Sequence, residues 1–562
     1  MNMVRNKSAN IAWLVPLLVV LCRPLDLPGA EQLPIARVER MPNLPQPYQM
    51  RDWRKVTEDY LDFLGNTECR GEHLPLMVWQ EAGQPKIRLP SYVGGPGGPE
   101  GINFLAAIVS GGLVGKDMRR FRGHDWVALS TNYFSSEHGV CGNGWGGGSG
   151  STFWYDVFPN VLFYQICGLN PGDPAREKML YTIAERWYEG CMALGASTNG
   201  ATVPNFDHLS LNLHSMKPVD NERWIEPEGA AGVAWCEYLA WTKFKDPRFL
   251  TAADWSLRAL LQRPHQKNPL YEVLLPYGAL TAARMNAELG RSYDVAKLLN
   301  WCFEPMDRPA ARPWWGVLTD RFGDFDCHGL VGSSRDTEGY AFAMNTFQWV
   351  GALAPLARYD TRYARALGKW MLNLANASRL FYANALPADH QDHRDWADAY
   401  DPNYCLAYEG LRKHPLRSTA IQPYATGDAH GSQSNVLNFC LYGSSHVGIP
   451  GGIFSRTSDE KILQVDLLRT DYFHAQAYRT FLFYNPHPVS QQFEADFGPQ
   501  RCDLYDAVAD RMVKRNVLGK TSLELPADTA VVIMVAPAGG TLTRQGARIL
   551  IDGVAVRWNC QR

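Results

Sequence analysis

Acidic side chains recur in this chain just before a helix-length run of apolar residues. In Gly332–Arg358, Asp336 and Glu338 stand in a small polar lead-in, and aromatic and small apolar residues follow at once. Glu226 and Glu228 precede Gly229–Phe244 in the same way, and Tyr271 and Glu272 open Leu270–Leu289. Asp207 and His208 lie upstream of the first of these runs, and Asp320, Asp324, Asp326 and His328 upstream of Gly332. Two carboxyls placed across one glycosidic bond, one protonated and one ionised, can hydrolyse it. Desolvation in an aromatic-lined hollow raises a carboxyl pKa and suits it to the acid role. Glu228 and Glu338 form the leading pair, because each stands at a helix mouth beside glycine; Asp336, Asp207 and Asp326 come next. Trp145, Tyr155, His208, Trp224, Tyr271, His328, Arg335, Tyr340 and His430 are the candidate substrate contacts, with Asp428 beside the last.

Each acid has a second reading, as a helix N-cap or a first-turn charge that complements the helix dipole. Asp173 and Asp246, each followed by proline, and Asp360 are assigned to capping outright. Glu272, third in its helical pattern, is the candidate most open to that reading. A different chemistry, β-elimination on a uronate, needs a Tyr or His base and a Tyr acid. His138, His208, His328, His430, Tyr271 and Tyr340 could supply them.

Other chemistries lose support. The Asp324–His328 spacing matches no metal site, and no metal or other cofactor is expected. No GxSxG elbow occurs, and the residues around Gly115-Lys116 lack the glycine and the Ser/Thr of a phosphate loop. A net charge of −2 in 562 residues leaves no electrostatic footprint for nucleic acid. With 46% hydrophobic and 20% charged residues the chain is expected to fold into a large core. Its 18 Trp and 25 Tyr exceed ordinary use; most are core, and some suit the C–H faces of sugars.

Residues 1–30 read as a secretory signal: Arg5 and Lys7, the apolar run Ile11–Cys22, then Pro28-Gly29-Ala30 before the mature start. A secreted or periplasmic protein with no membrane segment after cleavage is expected. Eleven cysteines follow Cys22, an odd number without any CxxC; several sit in apolar helical patterns, and one or two disulfides are allowed.

The elements that must position the acids come in pairs. Residues 31–51 are a Pro-rich extended lead-in. Apolar-all-round helices are expected to begin near Ile102, Thr152, Gly229, Leu270, Thr337 and Ser432. Amphipathic partners are expected over 52–65, 175–194, 249–263, 292–303 and 360–380. A helix that is apolar on every side must be enclosed, and a ring of six sheathed by amphipathic helices encloses them. This arrangement, over 52–452, resembles the six-hairpin (α/α)6 toroid of many glycoside hydrolases and, in incomplete form, of several polysaccharide lyases. After Gly452 the pattern changes to short strands separated by Asn-Pro, Pro-Ala-Asp and Asp-Gly turns. Residues 453–562 are therefore expected to form an antiparallel β-sandwich. The resemblance implies a carbohydrate-active enzyme cleaving an oligo- or polysaccharide with a carboxylate pair. The alternatives are a lyase and a non-catalytic glycan-binding protein.

Overall fold

The computed structural model describes residues 30–80, 86–95, 100–146, 149–335, 339–415, 418–428 and 436–558. Five long helices, Gly101–Leu113, Phe153–Leu169, Gly229–Phe244, Leu275–Leu289 and Ala343–Leu353, are buried along most or all of their length. Each packs on the next in chain order. The short helix Gly448–Ile453 packs on both Ala343–Leu353 and Gly101–Leu113, which closes a ring of six. The closure needs small residues: a Cβ on Gly448 would fall 2.2 Å from the Cα of Ser110.

An outer layer covers the ring. Trp53–Leu64 packs on the sixth rod, Pro174–Ala193 and Pro247–Leu261 on the third, Val295–Phe303 on the fourth and Ala364–Ala377 on the fifth. Asp52, Asp173, Asp246 and Asp294 cap four of these outer helices by accepting backbone N–H groups, and Asp360 does the same for the 3-10 turn Thr361–Tyr363. Between the first two inner helices there is no long outer helix among the described residues. The turn Trp126–Leu129 fills that place, with the Trp126 ring stacked on Phe104 at 5.2 Å.

Three inner boundaries differ from the sequence reading. The fifth helix begins at Ala343 rather than at Thr337, because Tyr340–Phe342 pairs as a β-strand with Gly410–Arg412. Hydrophobic periodicity could not separate a buried strand from the helix it leads into. The fourth begins at Leu275 rather than at Leu270. Instead of one helix over Ser432–Val447, the sixth position holds Leu441–Ser444 and Gly448–Ile453; residues 429–435 lie outside the described ones.

A five-stranded antiparallel sheet, ordered Tyr424–Thr426, Gly410–Arg412, Tyr340–Phe342, Val331–Ser333 and Trp315–Val317, carries residues to the mouth of the ring. The C-terminal region is antiparallel, as expected. Its six-stranded sheet runs Phe454–Arg456, Leu463–Asp466, Thr480–Tyr484, Ala530–Pro537, Cys502–Asp506 and Arg511–Val517. Alternation gives this sheet two apolar faces. Phe481, Phe483, Leu504 and Ile533 pack with Phe493 and Leu523 of the ribbon formed by Gln491–Asp496 and Lys520–Leu525. Leu482, Tyr484 and Val532 turn the other way and join the core of the helical body, where the sheet meets Ala364–Ala377. The ten described cysteines are unpaired and nine are buried, where they pack as small hydrophobes.

Candidate active site

The N-terminal ends of four inner helices open into one cavity of about 440 Å³. Ile102 comes from the first helix, Thr152, Trp154 and Tyr155 from the start of the second, Tyr271 and Glu272 from just before the fourth, and Met344 from the fifth. The sheet adds Phe342, Glu409 and Asp428, and Tyr92 and Tyr442 complete an aromatic wall. Four carboxylates from distant chain segments therefore share one hollow: Glu100, Glu272, Glu409 and Asp428.

Their environments differ. Glu409 is buried; it accepts hydrogen bonds from the Tyr442 hydroxyl and from the backbone N–H of Asp428. Burial first, and then the Asp428 charge, push its pKa up to about 7. Such a carboxyl holds its proton near neutral pH. Glu272 is also raised by burial, but the Arg312 guanidinium pairs with it and offsets part of that rise. Arg312 is itself held by rings, 3.4 Å from the Trp315 centroid and 5.1 Å from that of Tyr271. Glu100, just before the first inner helix, accepts from Ser91 Oγ at 2.8 Å and from Asn143, and burial raises its pKa. Asp428 pairs with Arg412 at 3.2 Å.

The sequence candidates separate clearly. Tyr155 and Tyr271 line the cavity. Glu228 is buried and absent from the lining. Its carboxylate accepts the backbone N–H groups of Glu272 at 2.7 Å and Leu275 at 3.2 Å, so it caps the fourth inner helix; burial raises its pKa to about 7. Glu226, raised by burial to about 8, accepts the backbone N–H of Trp154 at the start of the second helix. Asp207 pairs with Arg263 in a separate depression. Asp326 is bonded to His328 at 2.6 Å; burial opposes its ionisation, yet the histidine holds the pKa below the ordinary value. His208 pairs with Asp220 at 3.0 Å, Arg335 with Asp307 at 3.5 Å, and Trp224 is exposed on the surface. Tyr340 is buried under Arg412, and Trp145 is packed against the core. None of these lines the cavity. Asp336, Glu338 and His430 lie outside the described residues.

Glu100 and Glu409 escaped the sequence reading. Glu100 obeys the rule that singled out Glu228, an acid immediately before the glycine of an inner helix, so that signal was present. Glu409 sits in a loop–strand segment far from any helix start, and only sheet pairing carries it to the cavity.

A ring of inner helices with acids and aromatic rings at its N-terminal mouth defines this protein. No protein-family model matches the chain, and no curated protein matches it. Among solved structures it is similar to a GH127 β-L-arabinofuranosidase from Geobacillus stearothermophilus, at 9% identity and TM-score 0.35, over 89% of this chain and 80% of that one. A second GH127 β-arabinofuranosidase matches at 9% and 0.36, over 94% and 84%. An unsaturated glucuronyl hydrolase specific for heparin matches at 12% and 0.35, over 71% and 96%. At this distance the chemistry of the cavity rests on the chain's own residues.

Proposed function

We propose that this protein is an exported glycoside hydrolase acting on a neutral oligo- or polysaccharide in the helix-mouth cavity. One observation carries the reading: an aromatic hollow in which a carboxyl that keeps its proton near neutrality, Glu409, shares the lining with one paired to a guanidinium, Glu272. Glu409 is the general acid that protonates the glycosidic oxygen. Glu272 is the partner carboxylate, acting on the sugar carbon directly or through water. Trp154, Tyr155, Tyr271 and Phe342 offer faces on which the sugar rings pack.

The charge balance favours hydrolysis of neutral glycans over uronate elimination. Among the described lining residues, four acids stand against one cation, Arg312, and that cation is already paired. A uronate carboxylate would enter against like charge. Export is supported by the basic and apolar pattern of residues 5–22. The C-terminal sheets act as a β-sandwich buttress that fixes the outer helix Ala364–Ala377. The test is turnover on a panel of neutral and uronic glycans, read for new reducing ends and for ultraviolet absorbance of unsaturated products. Reducing ends from neutral glycans, lost in Glu409→Gln, are expected. Unsaturated products would make it a lyase, and ligand retention with no products would make it a binding protein.

A further inference from the structure

The opposite end of the ring holds a second cavity, of about 270 Å³, unrelated to the acidic mouth. It lies where the C-terminal ends of the third and fourth inner helices meet the C-terminal region. Its walls include Trp241, Lys245, Arg284, Glu288, Arg548 and Trp558. Three cations thus face one carboxylate. Behind them Arg358 and Asp471 form a buried pair at 2.9 Å, which leaves the local excess at two positive charges.

Arg284 is paired with acids, and the other two cations are not. Lys245 Nζ sits 4.7 Å from the Trp241 ring centroid and has no carboxylate partner among the described residues. Arg548 lies over the Trp558 ring at 4.9 Å, and among the described residues its side chain donates to the carbonyls of Ala287 and Glu288, at the end of the fourth inner helix. Arg284 forms the floor. It is 1% exposed, shares Asp471 with Arg358 and stands 3.6 Å from Glu288, and its Nε and Nη2 lack hydrogen-bond acceptors. Trp241 and Trp558 line the cavity, each with a cation over its ring.

We propose that this cavity is a binding site for a small carboxylated sugar, with Lys245 and Arg548 engaging the carboxylate and Trp241 and Trp558 bounding the space the sugar fills. Uronic acid would thus be excluded from the acidic mouth and accepted here. The test is saturation-transfer NMR and calorimetry on the full chain, with D-glucuronate as probe and D-glucose as the neutral control. Saturable glucuronate binding that weakens with salt is expected, with at least tenfold loss in Lys245→Glu and in Arg548→Gln, and no change in Glu409→Gln. Lys245 is exposed, so its variant should fold, and an unchanged Tm confirms this. Equal affinity in both cavity variants, loss in Glu409→Gln instead, or glucose binding as tightly as glucuronate would each overturn the proposal.

Discussion

The two ends of the helical ring carry opposite chemistry. At the mouth, where inner helices begin, Glu100, Glu228, Glu272 and Glu409 gather and the cations are few. At the far end, where inner helices finish, Arg548 donates to the last carbonyls of Leu275–Leu289 and Arg469 to those of Gly101–Leu113. Aligned helices explain both. Their N-terminal N–H groups present partial positive charge that favours carboxylates, and their C-terminal carbonyls favour guanidinium groups. A ring of helices that all start on one side turns that small local preference into a polar molecule. The acids that line the cavity, Glu100, Glu272 and Glu409, are also desolvated, which suits them to acid/base chemistry. At the far end Asp471 locks Arg284 and Arg358 into structure, whereas Lys245 and Arg548 have no carboxylate partner among the described residues.

That contrast can be broken by substitution. Glu409→Gln and Glu272→Gln should each lower kcat by roughly 10²–10⁴-fold with the fold intact, the range for a lost acid or base; steady-state kinetics with circular dichroism would show it, and near-normal rates would remove the assignment. At the far end, Asp471→Ala strips the shared partner from Arg284 and Arg358. It should cost about 3–5 kcal/mol in urea unfolding and leave turnover per folded molecule unchanged. Arg312→Met removes the charge that offsets the burial of Glu272, so that the acidic limb of the pH–rate profile should move to higher pH. Glu228→Ala should behave like a far-end variant despite its place near the mouth, losing about 1–3 kcal/mol of stability while keeping kcat, because its carboxylate serves backbone N–H groups.

The smallest effect expected is one of pH. Burial raises Glu409 to about 7 from 4.5, so the folded state binds its proton more tightly than the unfolded state. Its contribution to stability is full below the unfolded pKa and is lost as pH rises through about 7. The stability advantage of wild type over Glu409→Gln should therefore shrink on going from acid to pH 8 or so, and turnover should fall over the same upper limb. A growing advantage would mean that the carboxyl is ionised at the mouth.

Much of the ring was legible because helices enclosed on all sides have no polar stripe; Phe153–Leu169 and Gly229–Phe244 read as such directly. The caps were legible as well, since Asp before Pro is a local signal. The site was only half legible. Tyr155, Tyr271 and Glu272 lie next to helix starts and were in view. Glu272 was the acid most open to a capping reading and Glu228 the leading catalytic candidate, whereas it is Glu228 that caps and Glu272 that faces the hollow. Glu228 stands before the third inner helix and Glu272 before the fourth with the same kind of local signal, and only the backbone path decides which turns inward.

Composition and periodicity by themselves determined that this chain builds enclosed helices with acids at their starts, because burial on every side and capping are properties of neighbouring residues. Which acids meet was decided by tertiary structure. The strand Gly410–Arg412 pairs with Tyr340–Phe342 and so brings Glu409 beside Asp428, Tyr442 and the ends of helices hundreds of residues away. Pairing between strands depends on register across a long loop, and no local pattern in the sequence encodes where that loop returns.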